Sequence, residues 1–377
     1  MKTKTIQQFS ATLFLLLSFV LTISAQTSKE ATFNVSAGDL LDVSLTQGGI
    51  EIVTGNVSEV NVIARNILEE ELDFLTMEKV GSKIEIKFEG EDSDEFQLML
   101  NIPSSLNLDL STGGGGIDIE GDINGKVDAS TGGGDINVQT IGGIADLSTG
   151  GGNIRTGDIN GGADISNGGG EIEVGIINGT ADLSTGGGGI TITSVMNSAD
   201  VSTGGGNINV GDIGGEADVS TGGGNIKIGS VSGSVDVSTG GGNITLESAK
   251  GKLDVSTGAG NITLKNITGF VDASTGAGDI YAEFIPDGKN ESELTTGIGD
   301  IELRVPSSAK ATIIASTKVI MWSGDDSDLD KIQSDFKPSN VKRNKESKTI
   351  EVTYILNGGG STIELSTGMG EINIKKK

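Results

Sequence analysis

Ten aspartates are the residues of this chain best placed to do chemistry, because one stands two positions before each serine of a repeated D-x-S-(T/N)-G motif. They are Asp109, Asp128, Asp146, Asp164, Asp182, Asp200, Asp218, Asp236, Asp254 and Asp272. The first step between serines is 19 residues and the other eight are 18. If the repeats stack in register, unit charges ~4.8 Å apart repel by roughly 0.9 kcal/mol per neighbour even in water. Such a row needs relief. A structural route is a hydrogen bond to each carboxylate from the nearby serine hydroxyl or turn amides. A functional route is a row of cation sites, with Asp182, Asp200, Asp218, Asp236 and Asp254 as ligands and Ca²⁺ as the hard cation that suits oxygen donors.

Other chemistry is scarce. Histidine and cysteine are absent, which removes Ser-His and Cys-His nucleophiles, histidine metal sites and disulfides. Two S-x-x-K sequences, Ser307 to Lys310 and Ser339 to Lys342, lack the S-D-N and K-T-G partners of penicillin-recognising enzymes. Asp326, Asp328 and Asp330 imitate the start of an EF-hand loop, but Lys331 and Lys337 stand where its glycine and glutamate belong. The glycine-rich nonapeptides of the calcium β-roll match only half of each repeat. With 3% aromatics and four arginines, the array offers no cleft for sugar chemistry, so the expectation is a non-enzyme. A net charge of −26 excludes nucleic acid and favours cationic partners such as basic peptides, calcium or a positive surface.

The elements that would position these aspartates follow from one repeat. Ala217 and Val219 alternate with Asp218 and Ser220, and Ile226 and Ile228 alternate with Asn225 and Lys227. That is the period of a strand with one buried face. Val231 adds a fifth apolar position before the next turn, and the five columns recur through the array. In the glycine turn the first and third glycines never change, while the middle one becomes Ala259 and Ala277 and, beyond the array, Ile298 and Met369. The outer two positions therefore need positive φ or close backbone approach. After the turn comes a column rich in Asn, suited to side-chain ladders between repeats. Eighteen residues are too few for a propeller blade and show no helical period. The predicted fold is all-β, a single-stranded parallel β-helix (β-solenoid) of 18-residue coils with irregular capping regions at both ends.

Along the chain, Lys2, Lys4 and the apolar run 11–23 read as a secretory signal peptide ending near Ala25 or Gln26. That run is too short to span a bilayer, and no later segment is long enough. Residues 27–107 read as an N-terminal cap and degenerate first coils, 108–285 as the regular array, and 286–377 as C-terminal coils with a surface insertion at 318–347. Segment 69–79 could form a short helix.

The S-T-G-G-G-N-I repeats behind a signal peptide, closed by N-G-G-G-S-T-I-E-L-S-T-G-M-G-E-I-N-I-K at 357–375, resemble a bacterial "putative adhesin" family of unknown function. That family is related to the GIN-domain adhesin-like proteins. The resemblance covers nearly all of the chain after the leader and implies a β-solenoid in the periplasm, on the cell surface or outside the cell. It carries no catalytic residue onto this sequence. The expected function is adhesion or scaffolding toward a carbohydrate or protein ligand. An alternative is an acidic envelope-stress protein that captures cations or cationic peptides. An ice-binding rod fits less well, because the repeated outward pair is Asp-x-Ser instead of Thr-x-Thr.

Overall fold

The computed structural model describes residues 26–90, 96–319 and 326–377; the segment read as a signal peptide, 1–25, and Trp322 lie outside them. The chain is all-β, and its strands join into one nearly closed, repetitive sheet. Alternation builds each strand. In Ala217–Thr221 the side chains of Ala217, Val219 and Thr221 are buried while Asp218 is exposed. Ile226–Val231 buries Ile226, Ile228 and Val231 in the same way.

Each strand pairs in parallel with its counterpart one repeat before and one after. Asp218 lies opposite Asp200 on one side and Asp236 on the other, so identical residues stack. A second ladder runs beside the first, with Ile226 between Ile208 and Ile244. The fifth apolar column forms a third line of contact, which begins as isolated bridges joining Ile123, Ile141, Ile159 and Ile177. Fully burying one such aliphatic side chain is worth about 1.5–3 kcal/mol, which offsets the entropy of ordering a glycine-rich chain.

Two polar columns join successive repeats, a buried one of threonine and an exposed one of asparagine. Thr221 Oγ1 donates to the carbonyl of Gly206 in the preceding repeat at 2.9 Å and accepts from the amide of Gly224 in its own turn at 3.2 Å. Thr131 makes the same pair of bonds with Gly115 and Gly134. Asn167 replaces threonine once and preserves the pattern, donating from Nδ2 to Gly152 and accepting from the amides of Gly169 and Gly170. After the turn, the Oδ1 of Asn207, Asn225, Asn243 and Asn261 each accepts the backbone amide of the next repeat at 2.8–2.9 Å. Only the acceptor is essential there, so Asp279 and Asp300 serve as well as asparagine.

The glycine turn works by close approach. A Cβ on Gly222 or Gly224 would run into the backbone of Gly204 or Gly206, whereas one on Gly223 meets nothing within 4 Å.

At the ends, spatial order departs from chain order. Leu40–Leu45 sits between Asn107–Thr112 and Lys83–Phe88, with Asp42 opposite both Asp109 and Glu85. Ser361–Met369, from the closing motif, sits between Ser292–Ile298 and Ala311–Lys318. Antiparallel strands then finish the first ladder: Leu75–Val80 at one end, and Thr349–Leu356 with Asn340–Asn344 at the other. Phe88 stacks on Phe96 with ring centroids 4.3 Å apart, placing bulky side chains at the N-terminal end. The segment read as a short helix is one 3-10 turn, Glu69–Phe74, followed by that edge strand. Asp326–Lys331, the stretch that imitates the start of an EF-hand loop, is also a 3-10 helix.

Candidate functional site: the carboxylate column

Every aspartate of the repeated motif occupies the outward parity of the first ladder. Because neighbours pair in register, the ten carboxylates form one column from Asp109 to Asp272. The column also extends past the repeats, through Asp42 and Glu85 at one end and Glu293 and Glu364 at the other. Only its margins meet cations. Lys83 bridges Asp42 at 2.6 Å and Glu85 at 3.0 Å, and Lys252 reaches Asp254 at 4.0 Å.

The expected hydrogen bonds from serine or from the turn amides do not form. The reason is parity: the glycine amides point inward and are taken by the threonine hydroxyls one residue beyond the serines. Solvent exposure, in place of hydrogen bonding, relieves the column.

Asp182, Asp200, Asp218, Asp236 and Asp254, the candidate metal ligands, all line one shallow groove of about 520 Å³ with Glu216 and Lys252. They share that groove without sharing a centre: among the described residues no group of three or more carboxylates converges to hold a metal ion. The arrangement presents a line of negative charge along the first ladder.

Electrostatics records the crowding. The carboxyls of Asp128, Asp236 and Asp272 are pushed above the ordinary aspartate range, first by partial burial and then by repulsion from neighbours such as Asp146, Asp218 and Asp254. A carboxyl whose pKa rises on folding destabilises the fold when ionised, and this penalty lifts as pH falls through the folded pKa. The variant Asp128→Asn/Asp236→Asn/Asp272→Asn should therefore melt higher than the parent at pH 7. Each site should gain a few tenths of a kcal/mol after solvent screening. The advantage should vanish below about pH 3, where both chains are uncharged at these positions. Melting curves of both proteins from pH 3 to 7 check this, and an equal difference at all pH values would refute it.

A second groove, of about 640 Å³, lies on the second ladder and was not singled out from the sequence. Its lining includes Asp118, Asn137, Arg155, Glu173 and Thr191, which are in-register outward neighbours. Asn137 donates to Asp118 at 2.6 Å, and Arg155 lies 3.8 Å from Glu173. The signal for it is present in the sequence: the position between the two inward residues of this strand changes identity from repeat to repeat, whereas the aspartate never does.

No family model and no curated protein matches the chain. Solved structures similar to it carry the same description as the family its motifs resemble. A "putative adhesin" from Bacteroides fragilis is 12% identical over 94% of this chain and 99% of its own, with a TM-score of 0.21. One from Parabacteroides distasonis is 11% identical over 94% and 98%, with a TM-score of 0.25. A "Putative lipid binding protein" from the same species is 12% identical over 73% and 94%, with a TM-score of 0.21.

Proposed function

We propose that this chain is an exported, non-enzymatic, adhesin-like parallel β-helix that binds a cationic ligand along its carboxylate column. The observation that carries the proposal is the column itself. Eight of its ten repeat aspartates are exposed, the carboxylates repel one another, and none of the ten accepts a hydrogen bond among the described residues, yet aspartate holds the position in every repeat of the array. Packing does not require a charge there, since the side chain points to solvent. A ligand bearing several lysines or arginines would neutralise it. In this reading residues 108–285 form the coils, each advancing by about 4.8 Å, and residues 27–107 and 286–377 close the ends. The signal segment would direct export, and no helix among the described residues is long and apolar enough to cross a membrane.

The test is fluorescence anisotropy with a labelled deca-lysine peptide. The parent protein should bind it, with affinity falling steeply as salt rises. Asp182→Asn/Asp200→Asn/Asp218→Asn/Asp236→Asn should weaken binding at least tenfold at low salt. Equal affinity of both proteins would remove the column from the function. The second groove supports one other reading, an adhesive site for a neutral polar ligand such as a carbohydrate. Donors and acceptors of both kinds line it, and its arginine is balanced by Glu173. Glycan binding that is insensitive to salt and lost in Arg155→Ala would favour it.

A further inference from the structure

Both ends of the first ladder finish on an open strand edge. Leu75–Val80 pairs with Lys83–Phe88 on one side, and no described strand covers the other. Asn340–Asn344 pairs with Thr349–Leu356 on one side and is likewise uncovered on the other. All five residues of Asn340–Asn344 are exposed, although the strand is paired with Thr349–Leu356 and Lys342 bridges Glu351 at 2.7 Å. Large apolar side chains stand exposed at each end: Phe74 at 52% and Val80 at 66% beside the first edge, Val341 at 36% and Ile355 at 54% beside the second.

The charges at the two ends are opposite. Segment 69–78 exposes Glu69, Glu70, Asp73 and Glu78, buries Glu71 and carries no basic residue of its own, while Lys29 donates to its Leu72 and Leu75 carbonyls. The following Lys79 is held by Asp39 at 3.0 Å. Segment 337–348 carries Lys337, Lys342, Arg343, Lys345 and Lys348 and one acidic residue, Glu346, and Glu351 of the paired strand bridges Lys342 at 2.7 Å. Charges on a sheet edge commonly serve to stop it pairing with another chain. Edges of opposite sign do something more selective. They disfavour joining two like ends, and they favour joining the basic end of one copy to the acidic end of the next.

We propose that copies of this chain associate end to end, with the Asn340–Asn344 edge of one copy laid against the Leu75–Val80 edge of another. The two edges have similar lengths, five and six residues, and terminate the same ladder. Joining them continues the sheet across the boundary by main-chain hydrogen bonds and covers the exposed apolar residues. The contact uses different surfaces on the two partners, so it can repeat head to tail from one copy to the next.

Sedimentation velocity over a concentration series tests this with the purified protein. At low ionic strength the weight-average mass should rise with concentration. It should fall back toward the monomer at about 1 M salt, where the Debye length is about 3 Å. Two variants, Lys337→Glu/Lys345→Glu/Lys348→Glu and Glu69→Lys/Glu70→Lys/Asp73→Lys/Glu78→Lys, reverse the net charge of segments 337–348 and 69–78 at exposed positions, and circular dichroism confirms that each is folded. Each alone presents like-charged ends and should stay monomeric. An equimolar mixture should assemble, because each reversed end now meets a complementary one. The proposal fails if the parent stays monomeric at every concentration, if either variant assembles alone as the parent does, or if mixing restores nothing.

Discussion

Gly224→Ala should destabilise the protein by about 3 kcal/mol or more, while Gly223→Ala, one residue away, should leave stability unchanged or raise it by up to about 1 kcal/mol. The third glycine of the turn lies against the Gly206 backbone of the repeat before it, and an added methyl would overlap a carbonyl oxygen and carbon that cannot rotate away. Relief requires the two repeats to separate locally, at a cost in the ladder hydrogen bonds on both sides. The middle glycine faces open space, and the chain already carries alanine there at Ala259 and Ala277. Removing a glycine at such a site mainly reduces the freedom of the unfolded chain. Urea unfolding of the two variants beside the parent measures the difference. Equal destabilisation by both would mean that backbone conformation, not crowding, selects glycine in this turn.

Thr221→Val should cost about 2 kcal/mol, whereas Thr221→Asn should cost less than about 1 kcal/mol. Valine keeps the shape of threonine but loses the hydroxyl that joins Gly206 of one repeat to Gly224 of the next. Both backbone groups lie in the wall between repeats, and leaving buried partners unpaired costs more than a hydrogen bond normally contributes. Asparagine can donate and accept in the same place, as Asn167 does. The comparison separates packing from hydrogen bonding, because valine is the better isostere and asparagine the better mimic. Matched losses in the two variants, read from the same urea curves, would show that shape governs this column.

These two cases also show what the sequence made legible. The five apolar columns could be read directly, because alternation at a fixed spacing leaves few choices for the inward side. The contrast between outer and middle glycines was readable too, from Ala259, Ala277, Ile298 and Met369, although crowding, not positive φ, turned out to be the general cause at the outer positions. The threonine column was missed for an avoidable reason. Carrying the alternation one residue past Ser220 puts Thr221 inward, but the alternation read from the sequence stops at Ser220 and the turn is read from its glycines alone. That error also left the turn amides free to be assigned to the aspartates. The ends were opaque for a better reason. Nothing local tells Leu40–Leu45 to lie between strands from 83–88 and 107–112. That choice is made by tertiary pairing among strands whose alternation looks alike. The carboxylate column was visible as spacing, but its extension through Asp42, Glu85, Glu293 and Glu364 depended on the same non-local pairings.

In the array each repeat touches only the one before and the one after, and the residues it meets on its two sides are nearly the same. The middle of the molecule is therefore interchangeable in a way that its ends are not. Losing residues 200–217 as a block would bring Asp218 opposite Asp182 and Val219 opposite Leu183, pairs of the kind already present. Duplicating the block would add one rung of the same design. Unequal recombination between such repeats is thus a conservative event for this protein: it alters reach by one strand spacing, about 4.8 Å, and leaves both termini as they were. Length is the property that selection can tune here most freely.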